Sequence, residues 1–233
     1  MVVPKAERDY AQNLRGKDGK LRVIDASMYA GKTERLITMA NRFERSGIPT
    51  QAFKHPIDNR YNGPNTLNSH SGLSHPCEAY DHPFDVYLSI KPETLVVLWD
   101  EAQFYTDPHN PEHASELHAT MIAVVEQLVH EGRLVIVAGL GLDFKAKGFG
   151  PMPELLAHAS HVDKLTAICA QCGSLEADRT QRLINGQPAP YNSELIIVGA
   201  EEAYEARCRD CHDVPGTPSF QDILAAFVEE SQP

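Results

Sequence analysis

Residues 24–36 constrain the fold of this chain more than any other segment. A short run of β-forming residues at 21–24 leads into a turn of small residues, and Gly-Lys-Thr at 31–33 opens an apolar pattern with helical spacing. Phosphate-binding P-loops have this layout: backbone N–H groups at a helix N-terminus face the anion, the lysine adds positive charge, and the threonine hydroxyl reaches Mg²⁺. Ala26 stands where the strict motif has glycine, so an ordinary strand-to-helix turn is the alternative.

A second motif supports the P-loop interpretation. Residues 93–99 form an apolar run, which is typical of a strand buried on both faces of a parallel sheet. The run ends in Asp100 and Glu101, and two buried carboxylates are costly unless they have partners or a role. Asp100 fits the Walker-B position that holds hydrated Mg²⁺. Because neighbouring side chains on a strand point to opposite sides, Glu101 can face an attacking nucleophile instead. The alternative is a merely polar strand end.

The cysteines predict a metal site. Four of the five cysteines form two Cys-x-x-Cys pairs, separated by 35 residues, and these are Cys169, Cys172, Cys208 and Cys211. Two such pairs are a strong signal for a tetrahedral structural Zn²⁺ site, although the gap is longer than usual and implies a long excursion within the ribbon. His109 and His113 also have the spacing of a zinc pair on a helix. Pro111 lies between them and argues against a regular helix there, so we expect both to be surface residues.

The remaining patterns predict an α/β fold. Helical spacing at 32–46 and 113–130 alternates with strand-like runs at 51–55 and 134–138. This alternation indicates a P-loop (RecA-like) doubly wound, mostly parallel sheet. The expected parts are a flexible N-terminal arm at residues 1–20, a P-loop ATP-binding domain at 21–165 and a small zinc-ribbon domain at 166–215, which contains a strand-like run at 195–198. Residues 216–233 are expected to form a C-terminal helix (220–228) and a tail.

Two polar or glycine-rich segments are expected to be functional loops. Residues 56–76 read as one long loop, and such loops in compact domains are usually functional or mobile. Asp58 and Arg60 follow the preceding strand, at the end where open α/β sheets bind ligands; a solvated surface ion pair is the alternative. Residues 139–150 mix glycines with two phenylalanines and two lysines. The aromatic rings can sandwich a flat ligand ring or simply cover the core.

Composition narrows the classes of partner. The formal net charge is −11, which argues against a broad basic surface for polymeric nucleic acid but not against a small anionic ligand. No apolar run approaches the roughly 20 residues of a membrane span, and the N-terminus lacks a signal-peptide core. Together with metal-type cysteines, these features favour a cytoplasmic protein.

Taken together, the motifs resemble the cellular-type (type II) thymidine kinase family. The resemblance spans about residues 21–212. It is carried by Met28 inside the P-loop, by Asp-Glu-Ala-Gln-Phe at 100–104, and by Asp-Phe at 143–144 followed by Gly-Phe-Gly at 148–150. The paired cysteines and the segment 198–209 complete it. Each piece alone is moderately specific, but their order and spacing together are highly specific.

The resemblance implies ATP-dependent phosphorylation of the 5′-hydroxyl of thymidine, and of deoxyuridine, with Glu101 as general base. It also implies a homotetramer inhibited by the end-product triphosphate, and a zinc-ribbon lasso that closes over the nucleoside. The implied donor-binding residues are Ala26, Ser27, Met28, Tyr29, Ala30, Gly31, Lys32, Thr33, Asp58, Arg60, Asp100 and Gln103, of which Thr33 and Asp100 hold Mg²⁺. The implied nucleoside-binding residues are Met28, Phe104, Leu140, Phe144, Phe149, Thr180, Leu195, Ile196, Ile197, Val198, Gly199 and Tyr204.

Three positions depart from the family pattern. Ala26 replaces the first P-loop glycine, which restricts the backbone of the turn. Gly141 stands where members often have Asp, so any role of that carboxylate is absent. Ala200 replaces the second glycine of a usual Gly-Gly pair, which predicts a stiffer lasso.

Two other functions use the same motifs. A P-loop ATPase motor with a zinc ribbon that handles DNA shares the P-loop, the Asp-Glu pair and the cysteines, but the acidic charge and short chain weigh against it. A zinc-ribbon interaction protein with an inactive nucleotide site predicts Mg-ATP binding without turnover. An assay of Mg-ATP with a panel of nucleosides separates the three.

Overall fold

The computed structural model describes residues 19–57, 65–196 and 204–230. The predictions for Asp58 and Arg60 and for residues 197–200, including Ile197, Val198, Gly199 and Ala200, therefore lie outside the described residues. The predicted arm at 1–20 is described only at its end, where Gly19 is buried and Lys20 already belongs to the first strand.

The centre of the fold is a six-stranded sheet in which every neighbouring pair is parallel. Its strands are β1 (Lys20–Ala26), β2 (Thr50–Lys54), β5 (Glu78–Ala79), β6 (Val96–Asp100), β7 (Leu134–Gly139) and β8 (His161–Leu165). Their order is β5-β2-β6-β7-β1-β8, and both central strands β6 and β7 are buried at every position. Burial on both faces explains their continuous apolar sequences, and the predicted mostly parallel α/β sheet is confirmed.

Helices cover both faces of this sheet. They are α1 (Lys32–Arg45), α2 (Pro83–Ser89), α3 (Pro111–His130) and α4 (Met152–His158), and α5 (Phe220–Glu230) follows near the C-terminus. Alternate residues of β7 divide between two cores, because Ile136 packs with Leu36 of α1 whereas Val137 packs with Met121 of α3. None of the described helices combines the length and the apolar character that crossing a membrane requires.

The start of α3 corrects the interpretation of Pro111. The proline is the first residue of the helix, where its missing N–H is not needed, and the side chain of Asn110 accepts a hydrogen bond from the N–H of His113. His109 lies before the helix and His113 lies within it. Both histidines are exposed, as expected.

The long loop predicted at 56–76 is wrong in its second half. Residues 66–76 form an antiparallel hairpin of β3 (Thr66–Asn68) and β4 (Ser74–Pro76), closed by a turn with Gly72 at φ 84°. The hairpin is held by burial of Leu67 and His75, which pair across the two strands. Strands of three residues, rich in Asn, Ser and Pro, carry no detectable β pattern.

A second sheet forms the ribbon. It contains β9 (Arg179–Ile184), β10 (Gln187–Pro188) and β11 (Tyr204–Arg207), all antiparallel. The β9–β10 turn places Asn185 and Gly186 at positive φ, as two-residue hairpins favour. The strand predicted at 195–198 is not present in its described part, because Leu195 and Ile196 have no strand conformation.

Candidate nucleotide and nucleoside site

The P-loop lies between β1 and α1. Gly31 has φ 80° and directly precedes the helix, and Tyr29 has φ 65°, which is uncommon for a residue with a side chain. Ala26 is the last residue of β1 and does not have positive φ. Alanine therefore fits where the strict motif has glycine, and the expected restriction of the turn does not strain this backbone.

Lys32 connects the P-loop to the end of β6. Its Nζ donates to Oδ1 of Asp100 and to Oε1 of Glu101, both at 2.9 Å, with all three side chains buried. Burial lowers the pKa of the Lys32 ammonium, but the two carboxylates outweigh burial and hold this pKa above its ordinary value. Burial raises the pKa of Asp100, against the opposing charge of Lys32. The Thr33 hydroxyl donates to Oδ2 of Asp100 at 2.8 Å.

The orientation of Glu101 corrects the argument from strand alternation. β6 ends at Asp100, and Glu101 has a left-handed backbone with φ 56°, so both carboxylates turn toward Lys32. Gln103 Nε2 donates to Oε2 of Glu101, and Gln103 Oε1 accepts from the N–H of Leu140 at 3.0 Å. Gln103, which the resemblance predicts to bind the phosphate donor ATP, is thus placed to orient the Glu101 carboxylate.

One cavity of about 450 Å³ brings most of the predicted residues together. P-loop residues 27–33, Glu101 and Gln103 line one part of it. The predicted nucleoside residues that also line it are Phe104, Leu140, Phe144, Phe149, Thr180, Leu195, Ile196 and Tyr204. Of the predicted ATP- and nucleoside-binding residues that the structure describes, Ala26 and Asp100 do not line the cavity; the Asp100 carboxylate lies behind Lys32 and Thr33.

Aromatic side chains form one wall of this cavity. Phe104 and Phe149 meet edge to face with ring centroids 5.9 Å apart, and the guanidinium of Arg182 lies 5.2 Å from the ring centroid of Phe144. Gly150 allows this packing, because a Cβ there would lie 2.3 Å from the backbone oxygen of Gln103. The wall has the chemistry to hold a flat heterocycle.

Several cavity residues were missed by sequence reasoning. They are Glu34, Ile57, Leu142, Asp143 and the hairpin residues Asn68, Ser69, His70 and Ser71. The hairpin belongs to no motif, and the only local sign of it is the glycine turn at 72. Its place at the cavity depends on burial of Leu67 and His75, which a single sequence does not reveal.

The departure at Gly141 has a structural explanation. The Asp25 carboxylate accepts the N–H of Gly141 at 2.9 Å and pairs with Nζ of Lys164 at 3.0 Å. A Cβ at residue 141 would lie 2.4 Å from Oδ1 of Asp25. A carboxylate is therefore present beside this loop, supplied by β1, and a side chain at residue 141 would have to displace it.

The four paired cysteines can bind a zinc ion. The Sγ atoms of Cys169, Cys172, Cys208 and Cys211 all lie within 4.8 Å of one another. Tetrahedral Zn–S bonds of about 2.3 Å separate the sulfurs by about 3.8 Å, and Cys172 Sγ lies 3.7 Å from Cys208 Sγ. Desolvation opposes ionisation, but backbone N–H groups of the two turns lower the pKa of Cys169 to about 6. Cys77 lies elsewhere, in the core beside α1.

The ribbon also braces the P-loop, a relation that no motif predicted. The hydroxyl of Ser27 donates to the carbonyl of Ala177 at 2.9 Å, and the backbone N–H of Met28 donates to Oγ1 of Thr180 at 3.1 Å. Ala30 packs against the small apolar cluster that contains Cys169 and other ribbon residues. The ribbon therefore fixes three positions of the phosphate-binding turn.

Replacing Thr180 by Val tests this brace. Valine keeps the shape but removes the acceptor for the Met28 N–H, and a lost hydrogen bond corresponds to about 0.5–1.5 kcal/mol. We expect KM for ATP to rise about threefold to tenfold. Thr166→Val is the matched control, because its hydroxyl bonds Leu175 O within the ribbon and not the P-loop. An unchanged KM for ATP in Thr180→Val would show that the brace does not position the donor.

A family comparison agrees with this site. The family model described as "Thymidine kinase" matches residues 19–212. Among solved structures, AMPPCP-bound DnaA from Aquifex aeolicus has 12% identity and a TM-score of 0.41, covering 71% of this chain and 48% of its own. Pif1 helicase from Candida albicans has 13% identity and a TM-score of 0.35, and the match covers 75% of this chain and 42% of the Pif1 chain. The chain thus spans about half the length of that DnaA structure.

The structural likenesses are too distant to add to the assignment, whereas the family match spans most of the chain and contains the P-loop, the Asp-Glu pair and all four paired cysteines. The chain belongs to the thymidine kinase family.

Proposed function

We propose that this chain transfers the γ-phosphoryl group of Mg-ATP to the 5′-hydroxyl of thymidine, and of deoxyuridine, in pyrimidine deoxynucleotide salvage. The observation that carries the proposal is the position of Glu101. Its carboxylate, held by Lys32 and Gln103, lies on the wall of one cavity between the P-loop and an aromatic wall. Family membership supports the same reaction.

Glu101 acts as the general base. A primary alcohol is a poor nucleophile at neutral pH, and a carboxylate within hydrogen-bond reach can take its proton in the transition state. The Lys32 ammonium pairs with the carboxylate, and the Gln103 amide fixes its orientation. The proton of the 5′-hydroxyl passes to a Glu101 oxygen as the alcohol oxygen bonds to phosphorus and the bond to the leaving diphosphate breaks.

The P-loop binds the donor phosphates. Its backbone N–H groups at the start of α1, together with Lys32, neutralise and align the phosphate chain. Thr33 and Asp100 offer oxygen ligands of the kind that Mg²⁺ prefers. Bound Mg²⁺ would supply charge neutralisation on the donor phosphates. Asp58 and Arg60 are further proposed donor contacts, from the resemblance.

The nucleoside binds between the aromatic wall and the ribbon. Phe104, Phe144 and Phe149 hold the base, and the lasso closes over it through residues 195–199 and Tyr204. The described part of this segment supports the proposal, because Leu195, Ile196 and Tyr204 line the cavity. Closure would exclude water and limit wasteful ATP hydrolysis.

Selectivity among nucleosides tests this function. Backbone groups of residues 195–199 are proposed to read the pairing edge of thymine, where cytosine replaces a carbonyl by an amino group. Each buried polar group left unpaired costs roughly 1–3 kcal/mol, and a methyl contact near Met28 and Tyr204 is worth about 1–3 kcal/mol. We expect kcat/KM to be highest for thymidine, lower for deoxyuridine and near zero for deoxycytidine, measured by competition in one preparation. Deoxycytidine within about tenfold of thymidine would contradict backbone reading.

The wider biology is proposed from the same resemblance. It comprises a homotetramer, inhibition by the end-product triphosphate and a cytoplasmic location. The net charge of −11 supports the absence of a polymeric nucleic-acid partner. Cysteines arranged for a metal rather than for disulfides support a reducing compartment.

A further inference from the structure

The tip of the β3–β4 hairpin forms the side of the cavity next to the P-loop. Asn68, Ser69, His70 and Ser71 line the cavity together with Tyr29, Thr33 and Glu34. Apart from Met28 in the P-loop, the predicted nucleoside residues that the structure describes lie on other elements, in the loops after β6 and β7 and in or next to the ribbon. The hairpin tip thus adjoins the part of the cavity where the N-terminus of α1 is exposed to a ligand.

The hairpin is a fixed element rather than a loose loop. Leu67 on β3 is 1% exposed and belongs to the same core as Leu36 and Phe43 of α1. His75, its cross-strand partner on β4, is buried, and its Nε2 lies 3.6 Å from Oε1 of Glu44 near the C-terminal end of α1. The base of the hairpin is therefore packed along α1, and its tip reaches back toward the N-terminus of that helix.

Contacts within the tip hold His70 beside the P-loop. The buried hydroxyl of Ser69 accepts the N–H of Leu73 at 3.0 Å and lies 2.9 Å from Oγ of Ser71, which closes the turn. The imidazole of His70 lies against the ring of Tyr29, with centroids 5.3 Å apart and planes tilted by 44°. Tyr29 belongs to the P-loop and has a left-handed backbone, so this contact places the exposed imidazole beside the phosphate-binding turn.

We propose that His70 is a donor-phosphate ligand, which donates an imidazole N–H to the phosphate chain from the hairpin side of the cavity. The proposal deepens the proposed function and rests on it. The N-terminus of α1 and Lys32 attract an anion to this part of the cavity. Imidazole can donate a hydrogen bond to a phosphate oxygen in either of its protonation states. Glu34 also lines the cavity, and its negative charge would oppose a general attraction of phosphate to the tip. We therefore assign His70 a single directed hydrogen bond.

Equilibrium binding to the intact 233-residue chain, without nucleoside, tests this role. Three probes are titrated: Mg-ATP, inorganic tripolyphosphate and adenosine. Loss of one hydrogen bond to a charged group predicts that His70→Ala weakens Mg-ATP and tripolyphosphate binding about tenfold or more, with adenosine binding unchanged. His70→Gln, which retains an N–H donor, should recover part of the affinity. His109→Ala, at an exposed histidine before α3, is the matched control and should bind like the unmodified protein.

The outcomes separate this inference from the proposed function. Unchanged tripolyphosphate binding in His70→Ala would overturn the phosphate role, whatever the kinase activity. Weaker adenosine binding with unchanged tripolyphosphate binding would also overturn it, because the tip would then contact the nucleoside part of the donor. A rise in KM for thymidine at constant KM for Mg-ATP would place His70 on the acceptor side. Failure of the unmodified protein to phosphorylate thymidine would contradict the proposed function and not the binding result.

Discussion

Replacing Glu101 by Gln should lower kcat by about 10²–10⁴-fold, the range typical of a general base. Glutamine keeps the size of the side chain and its contact with Gln103, but it cannot accept the proton of the 5′-hydroxyl. Lys32 keeps Asp100 as a partner, so the P-loop should retain its position. Steady-state kinetics with thymidine gives kcat, and calorimetric titration should show thymidine binding largely unchanged.

Glu116→Gln provides the control for this prediction. Glu116 is an exposed residue of α3, so the same chemical change there should leave kcat unaltered. If Glu101→Gln lowers kcat by less than about tenfold, the proton acceptor is another group. A large fall in thymidine binding instead of kcat would assign Glu101 to substrate binding.

Replacing Cys208 by Ser should remove the zinc ion and weaken donor binding together. We expect about one Zn²⁺ per chain in the unmodified protein and a substoichiometric amount in the variant, because structural zinc sites need all four ligands. The cluster lies beside Ala30, and the same ribbon bonds Ser27 and Met28. Loss of the metal should therefore increase hydrogen exchange at the Met28 amide and raise KM for ATP.

Cys77→Ser is the control for the metal site. Cys77 is buried in the core beside α1 and is not part of the cysteine cluster. Elemental analysis should show full zinc in this variant. Full zinc in Cys208→Ser would rule out the four-cysteine site, and lost zinc with an unchanged Met28 exchange rate would rule out its connection to the P-loop.

The parts of the fold that the sequence predicted are those encoded by local patterns. Residues 31–33, the apolar strand ending at Asp100 and the two Cys-x-x-Cys pairs each carry their signal within a few neighbouring residues. Their environments require those residue types, since β6 is buried on both faces and Gly31 has positive φ. The parallel sheet follows from the alternation of such patterns.

The missed parts depend on residues far apart in the chain. Ser27 and Ala177 are 150 residues apart, and their hydrogen bond forms only when the ribbon folds onto the P-loop. The hairpin at 66–76 is held by the burial of one leucine and one histidine against α1, with no periodic signal in its short strands. The left-handed backbone of Glu101 also has no sequence sign, because Glu ordinarily avoids that conformation. Strand alternation therefore does not apply to Glu101, because β6 ends one residue earlier.

The most direct test of the proposed kinase reaction follows the γ-phosphate of ATP. Purified protein is incubated with γ-labelled Mg-ATP and thymidine, with deoxycytidine and single-stranded DNA in parallel reactions, and the labelled products are separated. We predict that label appears in thymidine monophosphate, that EDTA abolishes transfer, and that Glu101→Gln reduces it by about 10²-fold or more. Label found only in inorganic phosphate, at a rate that rises with single-stranded DNA and not with thymidine, would contradict the account.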